Sequence, residues 1–227
     1  MLDGLVINMY NELYYRKHEK GSYNSAVIIL KYILSFYNFN SLIDLGCGMG
    51  TWCKAAADLG VENILGIDQH VYEQQYMLIS NKNYIKFDLK DKLNDFGPFD
   101  IAISVEVAEH IDNTYVNSFI RNICLQSNVV LFSAALPFQG GTGHINERKC
   151  SFWKQHFNNY GYEIIDCIRP HFWNNQNIEI WYRNNCVLFV KSHMYSEFIT
   201  KIPKDIPPLD IIHPEMLERI LRKKGVN

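Results

Sequence analysis

The sequence predicts an α/β fold, doubly wound around a mostly parallel seven-stranded sheet, and three observations carry that prediction. Between residues 41 and 192, short apolar runs of strand length alternate with segments of helical periodicity, the pattern of parallel strands covered on both faces. The first of those runs, Leu42-Ile43-Asp44-Leu45, breaks into alternating glycines at 46, 48 and 50, a turn at the carboxyl end of a strand, where open parallel sheets bind ligands. Finally, 227 residues with 48% apolar and 20% charged side chains suffice for one globular core in a single domain spanning 1–227.

The elements follow in order. Residues 5–37 carry helical periodicity with an interruption at Gly21-Ser22, so residues 1–40 read as a helical cap, with Tyr10, Tyr14, Tyr15 and Tyr23 placed over the cleft or in the core. Strands are expected near 41–45, 63–67, 84–87, 99–104, 128–135, 162–168 and 185–191, making 41–192 the catalytic core. An insertion rich in Trp and Asn, 171–184, separates the last two. Residues 193–227 form a C-terminal extension in which Pro207-Pro208 stops any helix and 214–224 makes a short terminal one.

The glycine turn is informative about its ligand. A dinucleotide fingerprint needs a third small residue opening the helix, but Thr51 and Cys53 stand at the two places where it would fall. No Gly-Lys-Ser/Thr follows, which removes a P-loop. Asp44, two residues before Gly46, puts a carboxylate at the strand end, which suits a cationic amino-acid moiety.

At this point the chain resembles the class I S-adenosylmethionine-dependent methyltransferases, whose first motif has the form Asp-x-Gly-x-Gly-x-Gly, here Asp44, Gly46, Gly48 and Gly50. Ile64-Leu65-Gly66-Ile67-Asp68 is a second strand ending in an acid where that family binds the ribose hydroxyls, and a carboxylate can accept from both of them. Tyr84-Ile85-Lys86-Phe87-Asp88-Leu89 resembles the adenine-contacting motif, and Phe99 to Ser104 the fourth strand. The resemblance implies a Rossmann-like sheet with an antiparallel seventh strand beside the fifth. It also implies S-adenosylmethionine as cofactor, held by Asp44, Gly46, Gly48, Gly50, Asp68, Gln69, Asp88, Leu89 and Val105.

A second constellation follows the fourth strand, in Val105-Glu106-Val107-Ala108-Glu109-His110. If a helix starts there, Glu106, Glu109 and His110 at i, i+3 and i+4 share one side, although acids near a helix N-terminus also complement its dipole. His144, in the loop Gly140-Gly141-Thr142-Gly143-His144 after the neighbouring fifth strand, converges on the same crevice. Glu106, Glu109, His110 and His144 together form a mixed oxygen and nitrogen set suited to Mn²⁺ or Mg²⁺. Catalysis is assigned to His144, Glu109 and His110, with His144 acting as a metal-free general base in the competing reading. Glu-x-x-Glu-His with a distant His looks like the metal site of small-RNA 3′-terminal 2′-O-methyltransferases, and Glu-x-x-Glu-His also resembles ubiquinone-pathway O-methyltransferases.

A wider resemblance, over residues 5–215, is to bacterial methyltransferases of surface-polysaccharide assembly. It is carried by Phe132-Ser133-Ala134-Ala135, the loop Gly140–Glu147, Trp153, Ile168-Arg169-Pro170, Trp173, Trp181-Tyr182 and Asn185, and the chain departs from the group at Lys149-Cys150. It implies a small polar acceptor: a sugar, a nucleotide sugar or a phosphate-type oxygen. Trp153, Trp173, Trp181 and Tyr182 are candidates to stack on it or to pack the last strands.

A net charge of −2 argues against a nucleic-acid partner, and Arg222-Lys223-Lys224 reads as a solvated helix end. No apolar run approaches a membrane span and no signal pattern opens the chain, so a cytoplasmic enzyme without a membrane partner is expected. The cysteines at 47, 53, 124, 150, 167 and 186 form no Cys-x-x-Cys pair and read as buried reduced thiols. RNA 2′-O-methylation, quinone O-methylation and a non-enzymatic S-adenosylmethionine-binding role are the rival functions.

Overall fold

The computed structural model describes residues 12–70, 73–202 and 210–225, and the side chains of residues 20 onward within them. Tyr10 and Pro207-Pro208 lie outside the described residues, as do the side chains of Tyr14 and Tyr15. The strands are β1 (Ser41–Leu45), β2 (Asn63–Asp68), β3 (Tyr84–Lys86), β4 (Ile101–Val105), β5 (Val129–Ser133), β6 (Tyr162–Ile165) and β7 (Val187–Lys191). They form one seven-stranded sheet in the order β3-β2-β1-β4-β5-β7-β6. β1 pairs in parallel with β2 and β4, β2 with β3, and β4 with β5, while β7 runs antiparallel between β5 and β6. The order reverses at β1 and β4, and the crevice beyond their carboxyl ends is the expected binding place.

The central strands β1, β4, β5 and β7 bury both faces, while the edge strand β3 is only partly covered. In β1, Leu42 faces one apolar cluster and Ile43 the other. The first cluster is covered by α1 (Glu12–Leu34) through Ala26, Ile29, Leu30 and Ile33, and by α2 (Thr51–Asp58) through Trp52, Ala55 and Ala56. The second is covered by α3 (Val116–Gln126) through Phe119, Ile120 and Ile123, and by α4 (Cys150–Asn158) through Trp153 and Phe157. The insertion folds as α5 (Ile168–Phe172) and α6 (Ile180–Asn185), so the sixth strand stops before residue 168 rather than at it. α7 (Ser192–Ile199) follows β7 directly, and α8 (Pro214–Lys223) is the terminal helix. No described helix is long and apolar enough to cross a membrane.

One local expectation is corrected. Gly21-Ser22 does not interrupt α1, because Gly21 is there for close approach: a Cβ on it would stand 2.0 Å from Glu179 Oε1. The neighbouring Ser25 hydroxyl donates to the Gly21 carbonyl and accepts the Glu179 N–H, fastening α1 to the start of α6. Of the two places expected for Tyr23, the core holds: it packs against the first apolar cluster, does not line the cavity described below, and donates to Asp58 Oδ2 on α2 across 2.6 Å.

Candidate active site

A cavity of about 720 Å³ opens beyond the carboxyl ends of β1, β2, β4 and β5. One half is built by the glycine turn. Gly46 has φ of 92° and its backbone passes Val107 so closely that a Cβ would lie 2.4 Å from Cγ2. Gly48, at φ 54°, donates its N–H to Asp68 Oδ2 across 2.9 Å. Gly50 does not line the cavity; at φ 90° it caps α2 and clears Ile79, which fixes the turn that the other two glycines present.

Asp44 lies 1% exposed with Oδ2 lacking a hydrogen-bond partner, and burial, reinforced by Asp68, raises its pKa to about 8. An orphaned buried carboxyl oxygen fits a ligand that brings a positive charge. Asp68 accepts from the Gly48 and His70 N–H groups and still has lone pairs for a diol. Gln69, Asp88, Leu89 and Val105 line the same half.

The other half starts where β4 ends. Glu106 sits at φ 54°, the left-handed region, so no α-helix begins there; two 3₁₀ turns, Ala108–His110 and Asn113–Tyr115, follow, and α3 waits until Val116. The predicted i, i+3, i+4 alignment therefore does not form. What holds Glu106 in this costly conformation is a set of polar contacts. Its N–H donates to the Ser133 carbonyl, and its carboxylate accepts from Ser133 Oγ (2.8 Å), Asn185 Nδ2 (3.1 Å) and Gln139 Nε2 (3.2 Å).

Glu109, His110 and His144 are brought together, with one ligand atom from each inside a set no wider than 4.8 Å; Glu106 is not in that set. The convergence has a backbone cause. The Glu109 carbonyl accepts the N–H groups of Ile145 and Asn146, which ties the loop carrying His144 to the turn carrying Glu109 and His110. Glu109 is fully buried, neither of its carboxylate oxygens has a hydrogen bond, and burial followed by the Glu106 charge pushes its pKa well above the usual range. His110 Nδ1 donates to the Gly143 carbonyl (3.1 Å) and His144 Nδ1 to Glu147 Oε1 (2.9 Å), and His144 Nε2 lies 3.9 Å from Glu109 Oε1. Burial, then the neighbouring His144, lowers the His110 pKa to about 4, which keeps that imidazole neutral near pH 7.

The sequence missed the contribution of α8. Met216 and Ile220 seat this helix on Ile180, and Arg219 and Lys223 line the cavity. Lys223 Nζ donates to the carbonyls of Gln139 and Gly140, each at 2.9 Å, so the basic segment read as a solvated end instead clasps the glycine loop. Of the aromatic candidates, Trp181 and Tyr182 line the cavity. Trp153 is buried in the core on β5, and Trp173 packs on the His213 ring at 4.5 Å.

Comparison with known proteins agrees with this architecture. A family model described as a methyltransferase domain matches residues 18–185. No curated protein matches the chain. Among solved structures, an S-adenosylmethionine-dependent methyltransferase from Clostridium acetobutylicum is 13% identical with a TM-score of 0.56, the alignment covering 84% of this chain and 99% of that one. The magnesium protoporphyrin IX methyltransferase of Synechocystis with bound S-adenosylhomocysteine is 16% identical (TM-score 0.56, covering 80% and 88%). The methyltransferase domain of bacterial CtHen1-C is 18% identical (TM-score 0.51, covering 75% and 98%). At such identities the likeness speaks for the fold, and the family match over most of the chain speaks for membership: the chain belongs to the class I S-adenosylmethionine-dependent methyltransferases.

Proposed function

We propose that the chain methylates an oxygen of a small polar acceptor, a precursor of a bacterial capsule or related surface glycan, with a divalent cation, Mn²⁺ or Mg²⁺, held by Glu109, His110 and His144. The single observation that carries the metal reading is Glu109: a fully buried carboxyl with no hydrogen bond to either oxygen, grouped with two imidazoles so that one ligand atom of each lies within 4.8 Å of the others. Such a group is costly to bury unpartnered, charged or protonated, and a cation would satisfy it. Each imidazole is also fixed through its other nitrogen by a carbonyl or a carboxylate, the usual support of a metal-ligating histidine. The glycan reading rests on the sequence resemblance around the Gly140–Glu147 loop.

On the donor side, Asp44, Gly46 and Gly48 would receive the amino-acid end of S-adenosylmethionine, Asp68 the ribose, and Asp88 with Leu89 the adenine. When bound, the cofactor supplies a methyl on a sulfonium leaving group, and the cation supplies a Lewis acid that favours the deprotonated acceptor oxygen. The protein has to align the acceptor with that methyl and take up one proton. His144 would take that proton only where its Nε2 is not spent on the cation; in the metal reading it would be a ligand backed by Glu147 at its Nδ1, and the cation-activated acceptor would give its proton to water, with the Gln139–Ile145 loop lining the acceptor end. Glu106, held by Ser133, Gln139 and Asn185, fixes the loop end against β5 and α6.

A metal-free reading, in which His144 is the general base, is favoured by the His144–Glu147 pair alone. Treatment with EDTA separates the two. Turnover should vanish and return with Mn²⁺ or Mg²⁺, Glu109→Gln should lower it at least tenfold, and S-adenosylhomocysteine binding should change little. Full activity in both the EDTA-treated enzyme and Glu109→Gln would leave the His144 base as the mechanism.

A further inference from the structure

We infer that the acceptor carries a phosphate group, seated between Arg219 and Lys223 of α8 at the acceptor end of the cavity; the inference rests on the proposed methyl transfer and names its substrate class. Both side chains line the main cavity and also the adjoining recess of about 330 Å³. The cations and anions around α8 can be followed one by one. Arg183 is paired with Glu215 at 2.7 Å and Arg222 with Glu218 at 3.4 Å, so the two acids of the helix that face this region are already engaged. The remaining carboxylate on this side, Glu147, accepts from His144 and from the Phe138 and Gly140 N–H groups.

Arg219 and Lys223 are left, one helical turn apart on the same face, with no carboxylate in ion-pair range among the described residues. Arg219 is held by stacking, its guanidinium 5.3 Å from the Trp181 ring centre, which leaves its N–H edge for a ligand. Lys223 donates hydrogen bonds to two carbonyls of the glycine loop, contacts that hold the ammonium at the cavity wall without neutralising it. The two charges oppose each other: after burial, Arg219 is the next cause of the lowered Lys223 pKa. Two like charges held together at the wall of a substrate cavity form a site for an anion, and a fork beside a point charge suits the oxygens of a phosphate.

The test is calorimetry on the full chain with S-adenosylhomocysteine present and EDTA added, so that no divalent cation recruits the anion, using inorganic pyrophosphate as the probe. Saturable binding is expected, weakened roughly ten- to a hundredfold in Arg219→Gln and in Lys223→Gln, as for loss of a charge-assisted hydrogen bond. Lys223→Arg should retain most of it, and Lys201→Gln, paired with Glu197 on α7 and lining neither the cavity nor the recess, should bind as the wild type does. Absence of pyrophosphate binding, equal binding by the Arg219→Gln/Lys223→Gln double variant, or tighter binding of malonate than of pyrophosphate would each overturn the assignment. S-Adenosylhomocysteine binding in the same titrations reports on folding and on the methyltransferase reading separately: its loss in wild type would indict that reading, and its retention without anion binding would indict the phosphate site.

Discussion

Glu147 Oε1 lies 2.9 Å from His144 Nδ1, and the same carboxylate accepts the backbone N–H groups of Phe138 and Gly140. One side chain thus sets both the shape of the glycine loop and the tautomer of the histidine it carries. Glu147→Gln keeps the size but loses the charge that fixes the imidazole. Turnover should fall by roughly ten- to a hundredfold with S-adenosylhomocysteine affinity unchanged, as measured by kcat and by calorimetry. Unaltered kcat would mean that the ring does not need this orientation.

Asp68 accepts from the glycine turn and is the residue proposed to meet the ribose. Asp68→Ala removes the acceptor for a diol and also the partner of the Gly48 N–H. S-Adenosylhomocysteine binding should weaken by about 1.5–3 kcal/mol or more in a protein that remains folded by circular dichroism. Binding at wild-type strength would displace the second motif from its assigned role.

Asp44 makes the cofactor-free protein sensitive to pH. Its folded pKa is about 8 against a usual 3.8, so the neutral carboxyl favours the folded state. That stability is complete below about pH 4 and is lost as the pH rises through about 8. Thermal melts of the cofactor-free chain should therefore show Tm falling between pH 5 and pH 8, and Asp44→Asn should flatten that fall. At pH 8 the variant should melt higher by a few degrees, each kcal/mol being about 2–4 °C at this size. It should also bind S-adenosylhomocysteine more weakly, because the amide brings no charge to the ligand's ammonium. A variant that melts lower at pH 8 would contradict a buried neutral carboxyl.

Gly141 is a narrower probe of the loop. A Cβ there would lie 2.2 Å from His144 Nε2, while the backbone at this residue is not in the left-handed region. Gly141→Ala should leave Tm within a few degrees of wild type and move the imidazole, lowering kcat by about a hundredfold. If kcat survives, His144 Nε2 is not at the reacting end of the cavity.

Much of this was legible in the chain because buried parallel strands and a glycine turn leave local marks. Leu42-Ile43-Asp44-Leu45 followed by Gly46, Gly48 and Gly50 specifies a strand, a turn and a ligand side without reference to anything distant. Asp44, Asp68, Asp88, Glu109, His110 and His144 were all found on sequence grounds and all line one cavity. What was not legible depends on partners far along the chain. Gly21 reads as a break until Glu179 is seen packed against it, and Glu106 reads as the start of a helix until Ser133, Gln139 and Asn185 are seen to hold it at positive φ. Lys223 reads as a solvated end because nothing local announces that Ile180 seats its helix over the glycine loop.

The match to the methyltransferase family ends at residue 185, yet the helix bearing Arg219 and Lys223 begins at Pro214. On the proposed assignment, the residues that would hold the donor thus fall within the common domain, while two of those that would face the acceptor lie in a separate stretch of chain. A lineage can rewrite those few turns, changing what is methylated, without disturbing how the methyl is supplied. Relatives that share the glycine turn and differ in this last helix should be sorted by their acceptors rather than by their overall divergence.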